Sequence, residues 1–110
     1  MSDNQSHPGA LMREARTLAG IGLNDFAFLV GVQPPTLSMF ERGQSRLSRD
    51  LHLRLLQGLV ERLAQRYGLQ PDDALFTVAR AENEIRRLTV LAEAVRLESA
   101  IDGLTVQTSA

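Results

Sequence analysis

Arg42, Arg46 and Arg49 fall within eight residues that hold no acid, beside the turn residues Gly43, Gln44 and Ser45. Guanidinium groups grouped in this way grip phosphate oxygens, or else form an ordinary solvated loop. This is the one clear basic patch in the chain. Catalytic constellations are thin by comparison. His7 lies near the start and His52 stands alone in a helical stretch, too few and too isolated for a metal site or a base with its orienting partner. Asp72 and Asp73 open the last, long helical run, where paired acids suit the positive end of the helix dipole. Gly20, Gly31 and Gly68 stand at helix ends, and no glycine-rich stretch builds a phosphate-cradling loop. With no cysteine, disulfides, thiolate zinc sites and thiol catalysis are removed together. The residues therefore point to binding, with no enzyme activity and no cofactor or metal implied.

Charge sharpens this. The chain of 110 residues carries 12 cations, all arginine, against 13 acids, for a net charge of -1. Indiscriminate polyanion binding needs a cation excess, so any nucleic-acid role depends on local charge. The distribution is uneven. Residues 1–59 hold six arginines and five acids, whereas residues 60–110 hold six arginines and eight acids. The length suits one small domain with a modest core. No apolar run approaches the ~20 residues of a membrane span, and the polar start lacks both halves of a signal peptide. A soluble, cytoplasmic protein without membrane contact is expected.

The elements that position these residues read as helix almost throughout, and an all-α five-helix bundle is the expected class. Pro8 opens a helix over about 8–19 with Leu11, Ala15 and Leu18 on one face, closed by Gly20. A short helix over about 22–30 ends at Gly31, and Gln33 then precedes Pro34 and Pro35, which are tolerated only in a first helical turn. The third helix spans about 34–41. Ser48 caps a fourth, with Asp50 in its first turn and Leu53, Leu56, Leu59, Val60, Leu63 and Tyr67 as its buried stripe. Gly68 and Pro71 mark the next boundary.

From Asp72 to Asp102 there is no glycine or proline. A helix of that length has Ala74, Val78, Ala81, Ile85, Leu88, Ala92, Val95 and Ser99 on its heptad seam, seven of the eight apolar. Either it bends back onto its own body or a second chain covers it. The second chain is favoured, which makes Val78, Ala81, Ile85, Leu88, Ala92 and Val95 the expected dimer seam. The predicted organisation is a flexible N-terminus at 1–7, a helical domain carrying the basic patch at 8–68, an oligomerisation helix at 69–102 and a flexible tail at 103–110, with a brief edge strand through Leu104 and Val106 as an option.

Two short helices, a tight turn and a glycine opening an Arg-rich loop form a helix-turn-helix pattern. Residues 20–43, GIGLNDFAFLVGVQPPTLSMFERG, resemble the helix-turn-helix of the phage repressor, Cro and XRE-like family. The matching positions are Gly20, Ile21, Phe26, Ala27, Val30, Gly31, Val32, Gln33, Ser38, Glu41 and Gly43, with Arg16 four residues upstream of Gly20. The resemblance extends over about 10–60. Independently of it, Ala27 is small where two helices cross, and Ile21, Phe26, Val30, Val32, Leu37 and Phe40 supply core.

The resemblance implies that Arg16 and Glu41 form a structural ion pair tying the first helix to the end of the third. It also implies that Gln33, Pro34, Pro35, Thr36 and Met39 meet base edges in the major groove, and that Arg42, Gln44, Ser45, Arg46 and Arg49 grip phosphates. Gln33 and Thr36 can hydrogen-bond bases, whereas Pro34, Pro35 and Met39 offer only apolar contact, so discrimination by bidentate bonds is limited. The prolines serve equally as helix initiators. Leu23 departs from the family pattern, where many relatives carry a backbone-clamping glutamine.

The expected function is a sequence-specific DNA-binding transcriptional regulator, a repressor that binds a palindromic operator in double-stranded DNA as a homodimer. The alternative is a protein-binding module of the same fold, an antitoxin or antiactivator that captures a toxin or activator through its acidic C-terminal helix.

Overall fold

The computed structural model describes residues 7–72 and 74–109, with side chains described as far as Ile101. Five helices stand among the described residues: α1 (Pro8–Ala19), α2 (Leu23–Val30), α3 (Pro34–Glu41), α4 (Arg49–Tyr67) and α5 (Val78–Ser109). No strand occurs among them. Apart from His7, the expected flexible N-terminus lies outside the described residues, as does Asp73.

The helix ends follow from local chemistry. His7 caps α1 by accepting the Ala10 N–H at Nδ1, 3.2 Å away. Pro34 and Pro35 take the first two positions of α3, where their missing donors cost nothing. Ser48 caps α4, its Oγ accepting the Leu51 N–H at 3.2 Å. Between α2 and α3 the chain reverses over Gly31, Val32 and Gln33. Gly31 has φ +77°, a left-handed conformation that a Cβ would strain, and it directs the Val32 N–H back to the Ala27 carbonyl at 2.9 Å.

The core is built by Met12 and Ala15 of α1, Phe26 and Ala27 of α2, Leu37 and Phe40 of α3, Leu55, Leu56, Leu59, Val60 and Leu63 of α4, and Ala81, Ile85 and Leu88 of α5. On α4 the buried set differs from the expected stripe at one edge: Leu55 is fully buried and Leu53 only partly. The reason is that α4 is covered by α1, α2 and α5 together, so its apolar face is wider than one stripe. Tyr67 Oη donates to the Leu18 carbonyl at 2.9 Å and Arg66 Nη1 to the Ala19 carbonyl at 3.2 Å, fastening the end of α4 to the end of α1.

The C-terminal half departs most from expectation. Helix α5 begins at Val78, with Thr77 Oγ1 accepting the Arg80 N–H, rather than at Asp72. The chain before it is held non-helical because Leu75 buries in the core and Gln57 of α4 donates to the Leu75 carbonyl at 2.8 Å. Asp72 instead forms a turn, its Oδ1 accepting the Ala74 N–H, while its own N–H donates to the buried Glu84. At the other end the helical backbone runs on through residues 103–109, where a tail or short strand through Leu104 and Val106 was an expectation.

The expected dimer seam is corrected as well. Ala81, Ile85, Leu88 and Ala92 are completely buried within one chain, Val78 packs against the same core, and Val95 is half-buried. Helix α5 lies across α4 and α1, so the seam is covered by the chain's own body. An intramolecular cover needs no loss of translational freedom, which favours it over a second chain.

Candidate nucleic-acid interface

Arg16 of α1 and Glu41 at the end of α3 meet in a bidentate pair, Nε to Oε2 at 2.8 Å and Nη2 to Oε1 at 2.9 Å. Arg16 Nη1 also donates to the Ile21 carbonyl at 3.0 Å. Glu41 is buried, so the charge pair is largely desolvated and ties α1, the start of α2 and the end of α3 into one unit. Gly9 completes that junction. A Cβ at this position would collide with the Phe40 carbonyl, so α1 approaches the end of α3 more closely than any other residue permits.

Beyond this anchored end the chain enters the arginine loop. Arg42, Gln44, Arg46 and Arg49 are all exposed. Among the described residues, none of the three arginines makes a side-chain hydrogen bond or an ion pair. Ser45 differs from the rest of the expected phosphate set. It is half-buried and its Oγ is turned inward, without a hydrogen-bond partner among the described residues, so it is not displayed with the arginines.

On α3, Leu37 and Phe40 face the core while Pro35, Thr36 and Met39 are exposed, Met39 at 41%, as is Gln33 at the N-cap. Pro34 is half-buried and stands beside that surface rather than within it. Gln33 makes no capping hydrogen bond with its side chain, so its amide remains available. The exposed set offers one amide, one hydroxyl and two apolar contacts. At the start of α2, Leu23 packs partly against the core, and Asn24 and Asp25 are exposed.

His52, in the first turns of α4, lies behind this surface. Its ring meets Phe40 of α3 edge-on with centroids 5.1 Å apart, and its Nε2 is 3.8 Å from a Glu82 carboxylate oxygen of α5. Burial holds the imidazole below its ordinary pKa of 6.5, and the Glu82 carboxylate partly opposes that shift. In the sequence this histidine stands isolated, because its neighbours come from α3 and α5, each at least 12 residues away in the chain.

Glu84 is a second buried carboxylate besides Glu41, and the sequence does not mark it as buried. It accepts from Arg87 Nε and Nη2 and from the Asp72 N–H, and Arg87 reaches on to the Gln70 carbonyl. The Arg87 guanidinium holds its carboxyl below the usual carboxylate range. The spacing of Glu84 and Arg87 signals a pair, but nothing local indicates that it would clamp the segment before α5.

Among the described residues, no group of three His, Asp or Glu side chains is placed to hold a metal ion. Among the described residues, no helix is long and apolar enough to cross a membrane. Comparison with protein-family models, with curated proteins and with solved structures found no match.

Proposed function

We propose that this protein is a DNA-binding transcriptional regulator, with α2, the Gly31 turn and α3 acting as a helix-turn-helix. One observation carries the reading: exposed Gln33 at the N-cap of α3, with Pro35, Thr36 and Met39 on that helix, leads into a loop and the first residue of α4 that together display Arg42, Arg46 and Arg49, with no acid paired to them among the described residues. The first supplies contacts for base edges, and the second supplies charge for the flanking phosphates. Since the groove set has few bidentate donors, phosphates provide most of the affinity and thymine methyls part of the selectivity. Two copies acting together on a palindrome would grip about six phosphates, so log affinity falls with log salt at a slope near -5.

The test is titration of a duplex taken from the region upstream of its own coding sequence, at several salt concentrations. A specific shift with a slope near -5, reduced in Arg42→Ala, Arg46→Ala and Arg49→Ala, supports the reading. A slope shallower than about -2 removes this phosphate set. A protein-capturing module of the same fold is the second reading, favoured by apolar side chains that α5 leaves exposed at Val90 and Leu97. A specific shift without any partner separates the two.

A further inference from the structure

Helix α5 carries two apolar faces, and the body covers only one. The buried face is Ala81, Ile85, Leu88 and Ala92. Val90, Ala94, Leu97 and Ile101 follow the 4-3-4 spacing of a heptad seam and lie roughly 180° from the buried face at 3.6 residues per turn. Val90 is 69% exposed, Leu97 64% and Ile101 59%, with Leu91 alongside at 38%. A helix that is apolar on two opposite sides needs cover on both.

We propose that the Val90–Ile101 face pairs with the same face of a second copy, with the two helices antiparallel. Size and charge favour this occupant and this direction. In an antiparallel pair Ala94 lies against the partner's Leu97, so its small side chain meets a large one, and Val90 lies against the partner's Ile101. The flanking acids then fall beside neutral residues, Glu93 by the partner's Ala100 and Glu98 by the partner's Leu91. In a parallel pair Ala94 would face its own copy and leave a gap, and Glu93 would oppose the partner's Glu98. The four side chains bury roughly 800 Å² across both copies, below the ~1,200 Å² of a standard stable interface. The pair is therefore a weak dimer whose population depends on protein concentration. This inference rests on the dimeric part of the proposed function and not on the DNA part, and it is measured without DNA.

The experiment uses the full chain in sedimentation and light scattering over a concentration series. The expected result is a concentration-dependent dimer that Leu97→Glu converts to monomer, with helicity and melting temperature of the dilute protein unchanged because Leu97 is outside the core. Direction is read by disulfide formation, since the chain has no cysteine of its own. A mixture of Val90→Cys and Ile101→Cys chains should cross-link, and Ile101→Cys alone should not, because its two copies stand about 16 Å apart along the antiparallel axis. A wild-type chain that is monomeric throughout overturns the proposal. A dimer that survives Leu97→Glu leaves dimeric DNA binding standing but removes this face. Self-cross-linking of Ile101→Cys overturns the antiparallel order.

Discussion

Glu41 holds Arg16 through two hydrogen bonds of 2.8 and 2.9 Å across a separation of 25 residues, and the carboxylate is almost wholly buried. The pair sits where the first helix, the turn into the second and the end of the third converge. Its role is to fix the angle at which α3 and the arginine loop leave the body.

Glu41→Ala should therefore destabilise the fold before it alters any surface contact. The variant strands Arg16 in a partly desolvated position with only the Ile21 carbonyl to bond. Arg16 keeps some solvent access, so the cost is at the lower side of buried-pair losses, about 2–3 kcal/mol. For a chain of this size that lowers the melting temperature by roughly 10 °C. Calorimetry that finds an unchanged midpoint would remove the structural role of the pair.

Ile85→Ala distinguishes the covered face of α5 from the exposed one. Ile85 is completely buried within the single chain, so its truncation should cost about 2–4 kcal/mol at any protein concentration. Had the side chain belonged to an interface between copies, the loss would shrink as the protein is diluted toward monomer. Denaturant melts at two widely separated concentrations decide between these outcomes.

His52 and Glu84 each contribute a pH-dependent step to stability. The folded protein binds a proton at His52 more weakly than the unfolded chain does, so its contribution is complete above 6.5 and is lost as pH falls through the lowered folded value. The groups facing it are Glu82 from α5 and the Phe40 ring from α3. Glu84 is likewise lowered, but from 4.5, so its contribution is lost only in more acidic solution. The melting temperature should decline in a first step below about pH 6.5 and a second below about pH 4.5. His52→Gln should abolish the first and keep the second, and a first step of undiminished size in that variant would assign it elsewhere.

Much of this arrangement is written in short-range signals. Helix caps at Ser48, the proline pair at the start of α3, the left-handed turn at Gly31 and the acid-free run of arginines each depend on neighbours within a few residues, and the sequence alone determined them. The Arg16–Glu41 contact was available only through a resemblance, because no local pattern joins residues 25 apart. Tertiary structure alone decided the rest. Gly9 reads as an ordinary helical residue until the Phe40 carbonyl arrives beside it, and His52 reads as isolated until α3 and α5 close around it. The same holds for α5, whose sequence carries two apolar faces without ranking them. The path of the chain lays Ala81, Ile85 and Leu88 on α4 and α1 and leaves Val90 and Leu97 outside, since burial against one's own body needs no second molecule.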